Sequence, residues 1–171
     1  MKNREEIVQR LALRVFELTK LTWIRSQQEK FKGGYDLSES EFLALDALEN
    51  VGTTLSVGEL RRYVGVLPAQ MSRIIKALEH RYDEKLVVCS IHPSDKRKIN
   101  VAITPKGHRA VHAYRDAKIK ASIEAFRSLS DEDLRAMESI LAKVARAHDD
   151  DRPARGGGAA AEQVNRRTVE Q

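Results

Sequence analysis

The stretch that decides the fold is Ser56-Val57-Gly58-Glu59-Leu60-Arg61-Arg62-Tyr63-Val64-Gly65-Val66-Leu67, continued by Pro68-Ala69-Gln70-Met71-Ser72-Arg73-Ile74-Ile75-Lys76-Ala77-Leu78-Glu79-His80-Arg81. Ser56 with Glu59 three residues later is a capping-box signature and opens a short helix to about Tyr63. Gly65 breaks it, and Pro68 stands where proline is tolerated, in the first turn of the next helix. Met71, Ile74, Ile75 and Leu78 recur at three-to-four spacing, so the second helix, reaching about Arg81, buries one face. Two such helices over 56–81, joined by a tight glycine-containing turn, are a helix-turn-helix.

Downstream the period changes. Leu86-Val87-Val88-Cys89-Ser90-Ile91 is rich in β-branched residues, and Ile99, Val101 and Ile103 alternate with Asn100, Ala102 and Thr104. The polar run His92–Lys98 between them reads as a turn-forming tip, making a wing over about 86–104 with a strongly basic end. Thr104-Pro105 caps a helix over about 105–127, and Ser130 with Asp133 starts a last one over 130–148. Upstream, residues 4–32 read as one long helix ended by Gly33-Gly34, and Ser38 with Glu41 opens another to about Asn50. The expected fold is mostly α with a small antiparallel β-hairpin wing: a winged helix-turn-helix domain over 1–148, with terminal helices at 4–32, 105–127 and 130–148 free for dimerisation. Residues 149–171 open with three consecutive acids, an Arg-Pro-Ala-Arg run and three glycines before a polar remainder, a composition that cannot bury a core and is expected to be disordered.

Composition narrows the function. A chain of 171 residues is long enough to bury a core without metal or disulfide staples, and its single cysteine, Cys89, excludes an intrachain disulfide and suits a reducing compartment. No run approaches the roughly 18 apolar residues needed to span a bilayer, and Met1–Glu6 leads into no secretory signal. A cytoplasmic protein without a membrane partner is expected. Thirty Lys and Arg against 25 Asp and Glu give +5. Residues 56–109 alone carry 11 basic and five acidic side chains, so the whole net positive charge sits in the middle third, the footprint of a polyanion-binding region. No phosphate loop, nucleophile elbow or paired cysteine ligand set is present, so neither an enzyme nor a cofactor is expected.

The apolar face of the helix at 68–81 leaves Pro68, Ala69, Gln70, Ser72, Arg73 and Lys76 pointing outward, with His80 at the margin. The major groove, about 12 Å wide, admits a helix; glutamine suits adenine and arginine suits guanine or phosphate. Lys96, Arg97 and Lys98 at the wing tip would reach the flanking minor groove or phosphates, with Arg97 best suited to a narrow A·T groove. Ile7, Leu11 and Val15 on the first helix, and Leu134, Ile140, Leu141 and Val144 on the last, form stripes wider than one small domain covers. Burial against a second copy is the simplest solution, and would set two recognition helices about 34–36 Å apart.

These residues resemble a family. Asp95-Lys96-Arg97 followed by a strand and Ile103-Thr104-Pro105-Lys106-Gly107 is similar to the D-x-R … L-T-x-x-G signature of the MarR regulators, and Gly65–Arg73 resembles their helix-turn-helix, with Ser72-Arg73 at matching positions. The resemblance spans about residues 5–147. It implies an obligate homodimer built by the first and last two helices, a pseudo-palindromic operator in double-stranded DNA, and a bacterial or archaeal transcription factor, usually a repressor released by a small ligand. It further implies an effector pocket between the dimer helices and the DNA-binding lobe. Trp23 is a candidate wall residue there, and a small phenolic or carboxylate anion a candidate ligand. Leu67 departs from the pattern, standing where the family usually has a capping Ser or Thr. The glycine that normally follows the recognition helix is replaced by the longer Arg81–Lys85, with Asp83 offered the left-handed position.

Cys89 between Val88 and Ser90 reads as a small buried hydrophobe rather than a redox sensor. His108 and His112 stand four apart, a metal-binding spacing, but no His or Cys precedes position 80 and only a carboxylate such as Glu41 could join them, so no metal is expected. The competing reading is a winged-helix module that binds protein instead of DNA. An acidic or apolar recognition helix would mark it, and Gln70, Arg73, Lys76 and Lys96–Lys98 oppose it.

Overall fold

The computed structural model describes residues 2–30, 36–51 and 54–150. In chain order these form α1 (Lys2–Lys30), α2 (Glu39–Val51), β1 (Thr54–Ser56), α3 (Val57–Val64), α4 (Pro68–His80), β2 (Val87–His92), β3 (Asp95–Ile103), α5 (Pro105–Phe126) and α6 (Asp131–Asp150). The fold is mostly helical with one small antiparallel sheet, as the periodicities require. The Gly33-Gly34 stop and the tail from Asp151 lie outside the described residues.

Two compact units divide the chain: Met1–Asp36 with Ala113–Met137, and Leu37–His112 with Glu138–Gln171, so α5 and α6 each contribute to both. In the first unit, α1 runs without Gly or Pro, and the hydroxyls of Thr19 and Thr22 donate back to the carbonyls of Val15 at 2.9 Å and Leu18 at 3.1 Å. Its apolar side chains are open to solvent, Ile7 at 40%, Leu11 at 56% and Val15 at 63% exposure. On α6, whose cap Ser130 accepts the Asp133 N–H at 3.2 Å, Leu134, Ile140, Leu141 and Val144 are likewise exposed.

The second unit holds an apolar core. Leu45 and Leu48 of α2, Leu60 of α3, Met71 and Leu78 of α4, Leu86, Val87 of β2, Val101 of β3 and Val111 of α5 are fully buried. Ser56 and Glu59 form the expected capping box on α3, and Gly65 ends that helix at φ 75°, ψ 33°, its N–H donating to Arg61 O. A side chain there would meet open space, so it is the left-handed backbone and not crowding that calls for glycine.

The sheet corrects one expectation. The expected β2–β3 hairpin is present, but the sheet has three strands, in the order β1-β3-β2, because Thr54, Leu55 and Ser56 pair antiparallel with Ala102, Val101 and Asn100. A three-residue strand is too short to carry a period of its own. It forms because the core-facing half of β3 would otherwise present an unpaired edge. No helix among the described residues is long and apolar enough to cross a membrane.

Candidate nucleic-acid interface

α4 begins abruptly. Leu67 is extended (φ −71°, ψ 155°) and supplies no side-chain cap; Pro68 takes the first helical position, and the Met71 N–H donates to Leu67 O at 3.0 Å. Burial of Met71, Ile74, Ile75 and Leu78 turns Ala69, Arg73 and Lys76 outward at i, i+4 and i+7, flanked by Gln70 and Ser72 with Pro68 at the leading end. All six are exposed. The Ser72 hydroxyl donates to the Pro68 carbonyl at 3.1 Å, so towards a base it presents lone pairs. His80 is also exposed, with Nε2 3.5 Å from the Glu79 carboxylate.

The wing tip differs from the expected seven-residue turn. Only Pro93-Ser94 turn the chain, and β3 starts at Asp95. His92 pairs with Asp95 and Ile91 with Ile99, so Lys96, Arg97 and Lys98 have no Cα partner on β2 and bulge from the ladder. Asp95 shapes the bulge by accepting the Arg97 N–H at 3.0 Å, while its other oxygen is 3.9 Å from Lys98 Nζ. The three cations are exposed, and among the described residues neither Lys96 nor Arg97, nor Arg73 or Lys76 on α4, is held in an ion pair.

α4 and the wing belong to one unit and meet at Leu86. Its N–H donates to Leu78 O at 2.9 Å, and its carbonyl accepts from Thr104 N at 3.1 Å and Thr104 Oγ1 at 3.2 Å. Thr104 Oγ1 also accepts the Gly107 N–H at 3.0 Å, capping α5. A Cβ on Gly107 would lie 2.3 Å from Leu86 O and 2.7 Å from Ile103 Cγ1. The T-x-x-G pattern is therefore a joint. The threonine fastens three segments, and the glycine lets α5 approach a backbone carbonyl.

A second tie holds the far end of α4. Arg81 caps the helix in the right-handed region (φ −81°, ψ −21°), its N–H donating to Ala77 O. Arg81 Nη2 reaches Glu41 Oε2 at 3.0 Å, and its guanidinium also bonds the Tyr82 hydroxyl. Glu41 is 3% exposed, and the same oxygen accepts the Ser38 N–H at 2.7 Å. Ser38 and Glu41 were legible as a cap; the tie to Arg81, forty residues on, was not.

Two hydrogen bonds from Ser56, side chain and backbone, hold the Glu59 carboxyl below the ordinary carboxylate range, with Arg62 and Lys98 adding smaller attractions. Cys89 departs from expectation: it is exposed, because β2 leaves the core after Val87. Partial burial, then the nearby Glu79, still pushes its thiol above the usual range. Glu49, not Glu41, faces the histidine pair, one oxygen standing 2.9 Å from His108 Nδ1 and 3.4 Å from His112 Nε2. Among the described residues no group of three His, Cys, Asp or Glu is placed to hold a metal ion. Trp23 lies half-exposed on α1.

A MarR family protein from Bacillus stearothermophilus superposes on the chain with a TM-score of 0.71 at 20% identity, covering 85% of this chain and 97% of that one. The fold is that of the MarR regulators. A MepR variant from S. aureus bound to an oligodeoxyribonucleotide shares this MarR fold with a TM-score of 0.57 at 16% identity, over 80% of this chain and 96% of that one. BpsR from Bordetella bronchiseptica, whose DNA binding is regulated by 6-hydroxynicotinic acid, matches with a TM-score of 0.51 at 24% identity, over 77% and 98%. No family model matches the chain, and no curated protein matches it.

Proposed function

We propose that the protein is a sequence-specific regulator of transcription that binds double-stranded DNA as a homodimer, acting as a repressor released by a small effector. One observation carries the reading: a single compact unit presents Gln70, Arg73 and Lys76 on the outward face of α4 and Lys96–Lys98 on a bulge of β3, all exposed. A helix of this kind enters the major groove, its amino-terminal residues against base edges, while the wing cations reach the flanking minor groove or phosphates. The exposed apolar residues of α1 and α6 support the dimer, because leaving so many large side chains in water is unfavourable by about 25 cal/mol per Å². Effector release is supported by the shared fold with BpsR, with Trp23 the candidate contact and a small aromatic anion the candidate ligand.

Footprinting on the protein's own upstream DNA, repeated at several salt concentrations, tests this. A two-fold symmetric site of about 20–30 base pairs is expected, since two half-sites lie one turn apart. Arg97→Ala should flatten the log–log salt slope by about one unit if the guanidinium meets phosphate. A salt-independent interaction, or the lack of any protected site, would favour the protein-binding module instead.

A further inference from the structure

The leading end of α4 is apolar where the rest of its outward face is polar or cationic. Leu67 is 73% exposed, the most exposed large hydrophobic side chain among the described residues. It contributes little to the core and forms no cap. Pro68 has no N–H, Ala69 has no polar side-chain atom, and both are exposed. Ala69 shares its face with Arg73 and Lys76, so whatever those cations approach also meets this end. Of the four bases, only thymine shows an apolar group, its C5 methyl, in the major groove.

We propose that Leu67 and Ala69 make the protein select thymine within each half-site by contact with that methyl. The inference rests on the DNA-binding reading and names a chemical feature of the DNA that the site selects. The backbone N–H groups of Ala69 and Gln70 at this uncapped helix start suit a phosphate, but the Leu67 and Ala69 side chains offer it no donor, so the apolar groups themselves are matched by a base methyl and not by the backbone of the DNA. An apolar protein surface is also poorly matched, since the patch continues directly into Arg73 and Lys76 and no acidic residue stands in the first turn of α4.

The test uses the full chain and a duplex that the protein itself enriches from a randomised pool. Each thymine is then replaced by deoxyuridine, which removes one methyl and leaves every hydrogen-bonding group and charge in place. Binding of the unaltered protein should weaken about fourfold at one thymine per half-site, the value of burying one carbon group. Leu67→Ser should lose most of that discrimination, keeping only what Ala69 contributes, with an unchanged salt slope. That variant should fold at least as well as the parent, because serine is a preferred helix cap and the leucine is exposed. Indifference of the parent protein to every replacement overturns the inference while leaving DNA binding intact, as does a Leu67→Ser variant that keeps the full fourfold sensitivity. Failure to enrich any duplex overturns the DNA-binding reading itself.

Discussion

Replacing Gly107 by alanine sets two well-known effects against each other. Gly107 lies in the first turn of α5, where alanine is ordinarily favoured over glycine by about 1 kcal/mol. Propensity alone therefore forecasts a more stable protein. The added Cβ, however, would stand 2.3 Å from the Leu86 carbonyl oxygen, a distance real Cβ atoms do not tolerate, and 2.7 Å from Ile103 Cγ1. The first obstacle is backbone, so the carbonyl must move. It accepts the Thr104 N–H, a bond contributing about 1 kcal/mol, and shares the Thr104 hydroxyl proton with the Lys85 carbonyl, which stands closer at 2.7 Å; overpacking of this kind costs about 1–3 kcal/mol. Weakening rather than losing this bonding, and subtracting the propensity gain, leaves a net destabilisation of about 1–3 kcal/mol. Urea unfolding at fixed protein concentration measures it, through a fall in the midpoint with an unchanged slope. A midpoint at or above that of the parent would refute the close-approach argument. Because Leu86 also bonds Leu78 of α4, the surviving folded protein should bind its DNA more weakly than the parent.

Three further outcomes are expected. Arg81→Ala removes the ionic partner of the buried Glu41 and should cost about 1–2 kcal/mol, less than a fully buried pair because Arg81 is itself half-exposed; thermal unfolding measures it, and Arg81→Lys should recover part of the loss. The Glu59 carboxyl titrates below its ordinary range, so its cap stabilises the fold above that range and is lost as pH falls through the folded value. The stability gap between the parent and Glu59→Gln should thus close on acidification, and a gap independent of pH between 3 and 6 (the span expected for carboxylates) would contradict the capping geometry. Cys89, its thiol pushed up by burial and by Glu79, should react with iodoacetamide at neutral pH more slowly than glutathione does, and Glu79→Gln should speed it. Rates equal to that of glutathione would remove the basis for treating it as a poor redox sensor.

The element order was legible because each segment carries a local signal. Ser38/Glu41, Ser56/Glu59 and Ser130/Asp133 mark helix starts, Gly65 marks the turn, and the four apolar residues of α4 select its buried face. The outward side chains of α4 follow from that face by helical geometry alone, and all six are exposed as expected. The wing was only half legible. Lys96–Lys98 were placed at the tip but in a long turn, since nothing local announces that Asp95 will accept the Arg97 N–H and let β3 begin there.

From its own residues, then, the chain determines which segments coil, which extend and which face of α4 is left to solvent, because those choices depend on neighbours within about four positions. The three-residue β1, the exposure of Cys89, the Arg81 tie to Glu41 and the closeness of Gly107 to Leu86 were decided only in the folded unit. Each depends on groups brought together from distant parts of the chain. Hydrogen bonding and steric exclusion act over a few ångströms of space, whatever the separation in sequence.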